Sequence, residues 1–496
     1  MDYNQTKTSK HLKIIDSIPG YVVATDEERL AQLGPQQELK RHISLPTLGA
    51  LCLCLMATWE ATSTVIAQAL LSDGVPCLFH SFLLSFICSV CITSSLGEIA
   101  SIYPTAGGQY HWIAVLCPPS SRSLAAFATG WISVGGLIVF CASAAFAAGL
   151  QTQSLIIIND DSYIPRRWQG LLFYWAVLLY SGAMNIWGSK LLSHANMISG
   201  VIHVVGFVTI LILLGVMAPK NTASFVFTKY DAAPHMAEEI YNAPRNVPIA
   251  MVGSIVLNGL MGLTYCTVLL FSTGSLDSML TTATGFLFMQ TYLDVTKSRA
   301  GSTVLSLLII VVATAASVGG ITSASRTLWA FARDKAVPFD ASFSHINERQ
   351  QVPVMAIAFV TSAQMGLGFL YLGNTTAFNA VLSKAIIGIY LSYSMPIAFM
   401  LLVGRKRLTP KEYGPFRLAG VLGPLLNVIS LIWMAVVILF STFPSSQAVT
   451  AQNMNYSTIA MAGWLSFGLG YYFIRGHAKF EVPIIVSDIV EAVGHC

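Results

Sequence analysis

The chain has 496 residues, 54% of them hydrophobic and only 10% charged. An average soluble domain carries roughly 25% charged residues, so a water-soluble globule of this length is excluded: it could not cover its surface. The net charge of +4 marks no nucleic-acid partner, and what matters is where the charges lie along the chain.

Residues 1–45 form a hydrophilic tail without a cleavable signal segment. Apolar runs follow at about 46–71, 75–97, 123–150, 169–187, 195–217, 249–271, 302–325, 352–373, 377–403, 421–443 and 457–474, and a polar tail covers 476–496. Runs of about 18 residues or more cross the hydrocarbon core as helices. In lipid every backbone group must be satisfied within its segment, and the alternation of a membrane β-barrel is missing from the sequence. The expected fold class is therefore an all-α polytopic membrane protein. The nine cysteines (Cys52, Cys54, Cys77, Cys88, Cys91, Cys117, Cys141, Cys266 and Cys496) show neither metal-ligand spacing nor a disulfide framework. They read as small core hydrophobes, and no cofactor or metal is expected.

Lys and Arg favour cytoplasmic loops. With the N-terminal tail (Lys7, Lys10, Lys13, Arg29, Lys40, Arg41) inside, the run at 195–217 ends outside. If 249–271 were simply the sixth span, the basic loops at 326–349 and 405–417 would fall outside. One further crossing between about 218 and 248 returns them, and both termini, to the cytoplasm. Twenty of the 27 basic residues are then internal. Yet 218–248 contains no apolar run long enough to cross, so the charge pattern demands a crossing that no ordinary helix supplies.

Two stretches are specific. Ser95-Leu-Gly-Glu-Ile-Ala-Ser-Ile-Tyr-Pro-Thr-Ala-Gly-Gly-Gln-Tyr-His-Trp112 closes the second run; Pro104 ends its helix and Gly107-Gly108 permits a turn closed to β-carbons. Ser325-Arg326-Thr-Leu-Trp-Ala-Phe-Ala-Arg333-Asp334 places cations at a helix C-terminus, where the dipole favours them. Each alone also reads as a structural cap. In this order they resemble the amino acid–polyamine–organocation transporter superfamily, and its fungal amino acid/choline transporter branch in particular. Thr58-Trp59-Glu60-Ala61, Tyr230-Asp-Ala-Ala-Pro-His-Met-Ala-Glu238-Glu239, Asn242-Ala-Pro-Arg245, Tyr390-Leu-Ser-Tyr393 with Pro396, and Gly414-Pro-Phe-Arg417 also fit.

The resemblance covers about 45–475 and implies two inverted five-helix repeats plus two trailing helices. Substrate then binds near mid-membrane, where the first helix of each repeat is broken. The first break falls near Ala57–Thr64, which makes Ala57, Thr58, Trp59, Glu60, Ala61 and Thr62 candidate substrate ligands. The second falls at Tyr230, Asp231 and Ala232. Here the chain departs from the family: the first half of the sixth helix, on the order of thirty residues with its loop, looks excised just before Tyr230.

Glu60 lies near mid-membrane, where a carboxylate costs at least about 2.5 kcal/mol unless paired, protonated or hydrated. It either binds a substrate ammonium and carries a coupling proton, or sits as a neutral core side chain beside Trp59. Lys384 reads as an internal counter-cation or as a stem snorkelling to the interface. His235, Glu238 and Glu239 form a gate with Arg326 or Arg333, or merely end a solvated helix. Thr322 and Ser323 are either ion ligands or groups bonded to neighbouring carbonyls. His80 and His203 read as satisfied core or interfacial groups.

The expected function is secondary active transport of a small nitrogen-containing solute (an amino acid, choline-like amine, polyamine or alkaloid), driven by protons. The partners are this solute, the proton and the lipid bilayer, and the plasma membrane is the expected location. A non-transporting nutrient sensor, or an inactive, mis-spliced transporter, is the alternative. The residues offer no nucleophile–base set, phosphate loop or metal cluster for an enzyme.

Overall fold

The structure is a computed structural model that describes residues 45–105, 107–188, 191–219, 243–272, 282, 284–373, 375–410, 412–443 and 456–483. Among these residues the fold is helical throughout. In chain order the helices are α1 (Leu45–Met56), α2 (Thr58–Ile102), α3 (Gln109–Leu116), α4 (Arg122–Asn159), α5 (Arg167–Ile186), α6 (Leu192–Met217) and α7 (Ala243–Ser272). There follow α8 (Leu287–Thr296), α9 (Arg299–Arg333), α10 (Asp340–Phe343), α11 (Val354–Gly373), α12 (Thr375–Phe399), α13 (Arg405–Arg407), α14 (Leu422–Phe440), α15 (Ser457–Tyr471) and α16 (His477–Lys479). Nine helices among the described residues are long and apolar enough to cross a membrane.

Their outer faces explain the composition. Val201, Val205, Val208 and Ile212 on α6 are exposed at three- and four-residue spacing, as are Leu425, Val428, Ile432 and Val436 on α14. That spacing is one face of a helix, and an apolar face turned outward suits lipid rather than water. Inside, α1 packs on α6, α7 and α9, α2 on α7, and α4 on α5, α9 and α12. Small residues set the close contacts, as expected where no water drives helices together. A β-carbon on Gly136 of α4 would come within 3.2 Å of the Gly388 backbone in α12. Trp59, Tyr265, Leu287 and Tyr292 are buried in one apolar cluster, and Phe127, Trp131, Tyr174 and Phe331 in another.

The two sequence motifs end their helices and meet. Helix α2 stops at Ile102, just before Pro104, and Gly108 at the start of α3 has φ 54°. Trp112 closes the turn by donating Nε1–H to the Tyr103 carbonyl at 2.8 Å. Tyr110 of the first motif donates its hydroxyl to Asp334 of the second at 2.8 Å, 224 residues away. Arg333 lies over the Trp329 ring, 4.8 Å from its centroid.

Hydropathy separates runs at 46–71 and 75–97, whereas the backbone breaks at Ala57 and continues as one helix of 45 residues to Ile102. The expected crossing near 218–248, with its half-helix at 230–241, falls almost wholly outside the described residues.

Candidate functional site

The break between α1 and α2 is a single residue. Ala57 adopts the left-handed conformation, φ 39° and ψ 47°, which costs an L-residue with a β-carbon roughly 1–2 kcal/mol. The Ala57 N–H still donates to Leu53 at 3.0 Å, and the Ala57 carbonyl accepts from Ala61 at 2.7 Å. The carbonyl end of α1 and the N–H end of α2 are thus joined through one residue, each with the reduced set of intrahelical partners of any helix end. The break lies inside the stretch expected from the sequence, Ala57–Thr64.

Glu60 sits in the first turn of α2, where the helix dipole favours a negative charge. Its Oε1 lies 2.7 Å from Nδ1 of His203 on α6, and both side chains are buried. Trp59, fully buried, packs against the rings of His203, Phe207 and Tyr265, with centroids 6.0, 6.2 and 5.2 Å away. Behind it, Ser63 Oγ lies 2.8 Å from the Trp59 carbonyl and 2.8 Å from the Tyr265 hydroxyl, which is 2.8 Å from the Tyr292 hydroxyl. Thr62 donates to the Thr58 carbonyl at 2.8 Å. Gln151 of α4 donates to Thr64 at 2.9 Å. Ala61, flanked by buried residues, is exposed.

Among the described residues, five buried polar atoms around this kink have no hydrogen-bond partner: Thr58 Oγ1, Trp59 Nε1, Glu60 Oε2, His203 Nε2 and Asn258 Oδ1. Asn258, on α7, reaches the break from the other side, its Nδ2 being 3.4 Å from the Leu53 carbonyl. A buried polar group without a partner costs roughly 1–3 kcal/mol, so several on two sides of one broken helix mark a place built for a polar ligand. The arrangement can hold a positive nitrogen against Glu60, and it can hold a proton between Glu60 and His203.

The other candidates are dispersed. Thr322 turns away toward α5, donating to Asn185 Oδ1 at 2.5 Å and to the Val318 carbonyl at 2.9 Å. Ser323 is buried, its hydroxyl without a partner among the described residues, and Arg326 is half-buried near the end of α9. Lys384 is carried by α12, but its side chain is outside the description. Tyr230, Asp231, Ala232, His235, Glu238 and Glu239 also fall outside the described residues. Sequence reasoning missed Asn258, Tyr265 and Tyr292, and read His203 as a core group. An ionisable or amide side chain within an apolar run was the available signal.

A family model described as amino acid permease matches residues 43–224 and 221–465. The chain belongs to the amino acid permease family. This permease is 27% identical to a choline transporter of Saccharomyces cerevisiae over 89% of its own length and 83% of the relative's. It is 26% identical to an amino-acid permease of Arabidopsis thaliana, over 93% and 97% of the two chains. A putative amino acid/polyamine transporter of Macrophomina phaseolina is 29% identical over 82% of this chain and 96% of its own. The permease is thus an integral, multi-pass membrane transporter and not an enzyme.

Proposed function

We propose that this permease is a secondary active transporter of a small nitrogen-containing solute (an amino acid, choline-like amine, polyamine or alkaloid), coupled to protons and working by alternating access. The single observation that carries this reading is the buried Glu60 carboxylate, with Oε2 open beside the broken start of α2. A positive nitrogen would take Oε2 beside the end of α1. The names of the choline, amino-acid and polyamine relatives support a substrate of this class. The site would lie near mid-membrane between inverted repeats, with Tyr230, Asp231 and Ala232 completing it from the second broken helix. Basic-residue bias supports cytoplasmic termini, and the plasma membrane is the proposed location. The test is flux in a permease-deficient host across a panel of radiolabelled amines and amino acids at several pH values. Absence of substrate-dependent flux from the full-length protein would overturn the proposal.

A second reading, a sensor or inactive transporter, is favoured by one observation. The family match comes in two pieces that meet at 221–224, next to the stretch where the sequence lacks half a helix. Binding without flux would select it.

A further inference from the structure

We propose that Glu60 and His203 form one exchange site at which a proton and the positive nitrogen of the substrate exclude each other, so that the permease works as a proton–cation exchanger. The inference rests on the amine-transport reading above and adds the residue and the sign of the coupling.

The geometry gives the pair two open ends. With Glu60 ionised, His203 Nδ1–H donates to Oε1 across 2.7 Å, a charge-assisted bond. The far imidazole nitrogen, Nε2, then either stays bare, leaving the pair with net charge −1, or takes a proton and brings it to zero. A pair serving only to hold α2 against α6 would have its outer atoms bonded as well. Here Glu60 Oε2 and His203 Nε2 are both buried and, among the described residues, both unpartnered.

Among the described side chains, no other one around the pair can balance its charge. Tyr265 of α7 and Tyr292 of α8, linked to the first turns of α2 through Ser63, are phenols and neutral near pH 7, as is the thiol of Cys54 on α1. Among the described side chains, the polar groups that the first turns of α2 place beside Glu60 are Thr58, Thr62, Ser63 and Thr64, and α4 reaches Thr64 through Gln151. On α9 there is no ionisable residue between Arg299 and Arg326, and the other ionisable residue of α6 is His194. A cation at Oε2 therefore favours the bare state of His203, and a proton on Nε2 removes the net charge that holds the cation. By linkage each weakens the other to the same extent. A carrier that must hold one or the other while its site turns exchanges them.

The test uses the full-length protein in nanodiscs, with radiolabelled choline, putrescine and L-lysine as probes. Affinity for the probe that binds should weaken on the order of tenfold as pH falls from about 8 to about 5. His203→Gln should flatten that dependence, while Glu60→Gln should abolish binding at every pH. In proteoliposomes, a proton gradient directed opposite to the substrate should drive accumulation by the natural protein and not by His203→Gln. Affinity that strengthens as pH falls, or a His203→Gln variant with the unaltered pH profile, would overturn the exchange. If no probe binds any variant, the transport reading fails, and the pair is still read by infrared difference spectra after a pH jump. A carboxylate band seen in the natural protein and lost in both variants keeps the shared proton; its persistence in His203→Gln overturns it.

Discussion

The carboxylate of Glu98, near the end of α2, and the guanidinium of Arg405, in α13, are 307 residues apart in sequence and 2.5 Å apart in space. Arg405 also donates to Asn427 Oδ1 of α14 at 2.9 and 2.6 Å. The second oxygen of Glu98 accepts the Leu418 N–H at 2.8 Å. Glu98 is fully buried and Arg405 nearly so. One ion pair thus ties the start of the chain's helical bundle to its trailing helices.

Breaking that pair should destabilise the protein sharply. Removing one partner strands a buried charge, at a cost of roughly 3–5 kcal/mol. Arg405→Ala should therefore lower the thermal unfolding midpoint in detergent more than the double variant Glu98→Gln with Arg405→Met, which strands none. Equal midpoints for the two would show that the pair is not what holds α13 to α2.

Replacing Glu60 by Gln removes a charge while nearly conserving shape. If the carboxylate holds substrate or proton, flux should fall by at least about tenfold, the scale of losing a charged contact of 1.4 kcal/mol or more, and the residual flux should lose its pH response. Flux and pH profile measured in the same host, and found unchanged, would return Glu60 to the core.

Close helix packing makes a second kind of prediction. A β-carbon at Gly149 of α4 would come within 2.7 Å of the Tyr174 backbone in α5, whereas one at Gly215 of α6 meets nothing within 4 Å. Gly149→Ala should cost about 1–3 kcal/mol, because backbone cannot move aside as a flexible side chain does. Gly215→Ala should be neutral or slightly stabilising, since alanine is the better helix former. Parallel unfolding curves of the two variants check this.

His111, in the short helix α3, is buried, and among the described residues neither ring nitrogen has a partner. Burial, with the repulsion of Arg333 added, lowers its pKa from the ordinary 6.5 to about 4. The folded protein thus keeps this imidazole neutral at pH values where the unfolded chain protonates it. Its stabilising contribution is complete above about pH 6.5 and is lost as pH falls toward about 4, on the order of 3 kcal/mol in all. Unfolding midpoints across that range should fall more steeply for the natural protein than for His111→Gln. Identical slopes would reject the assignment.

If the chain lacks the first half of its sixth helix, as the sequence suggests, inserting an apolar half-helix before Tyr230 should raise both stability and flux. A crossing made without a full helix would leave backbone groups unpaired in lipid, at several kcal/mol, and the proposed site needs its second broken helix. Comparable melting and flux for the chain with and without the added segment would count against the missing half-helix.

Composition and apolar run length alone determined that this protein is a helical membrane protein, because lipid admits few other solutions for a backbone. The first turn motif was legible for an equally local reason: Pro104 and Gly108 act on their own backbone. The family resemblance placed the helix break within a few residues of Ala57, and it drew attention to Glu60. What neither local chemistry nor resemblance could supply was the partner. His203 is 143 residues from Glu60, and nothing in an apolar run says which way one of its side chains points. Only the packing of α6 on α1 and the turn of α2 after Ala57 bring the imidazole to the carboxylate. The same holds for Arg405 and Glu98, and for Asn185, which draws Thr322 away from the break. Burial makes each of these pairings matter, and burial is a property of the assembled bundle rather than of any one helix.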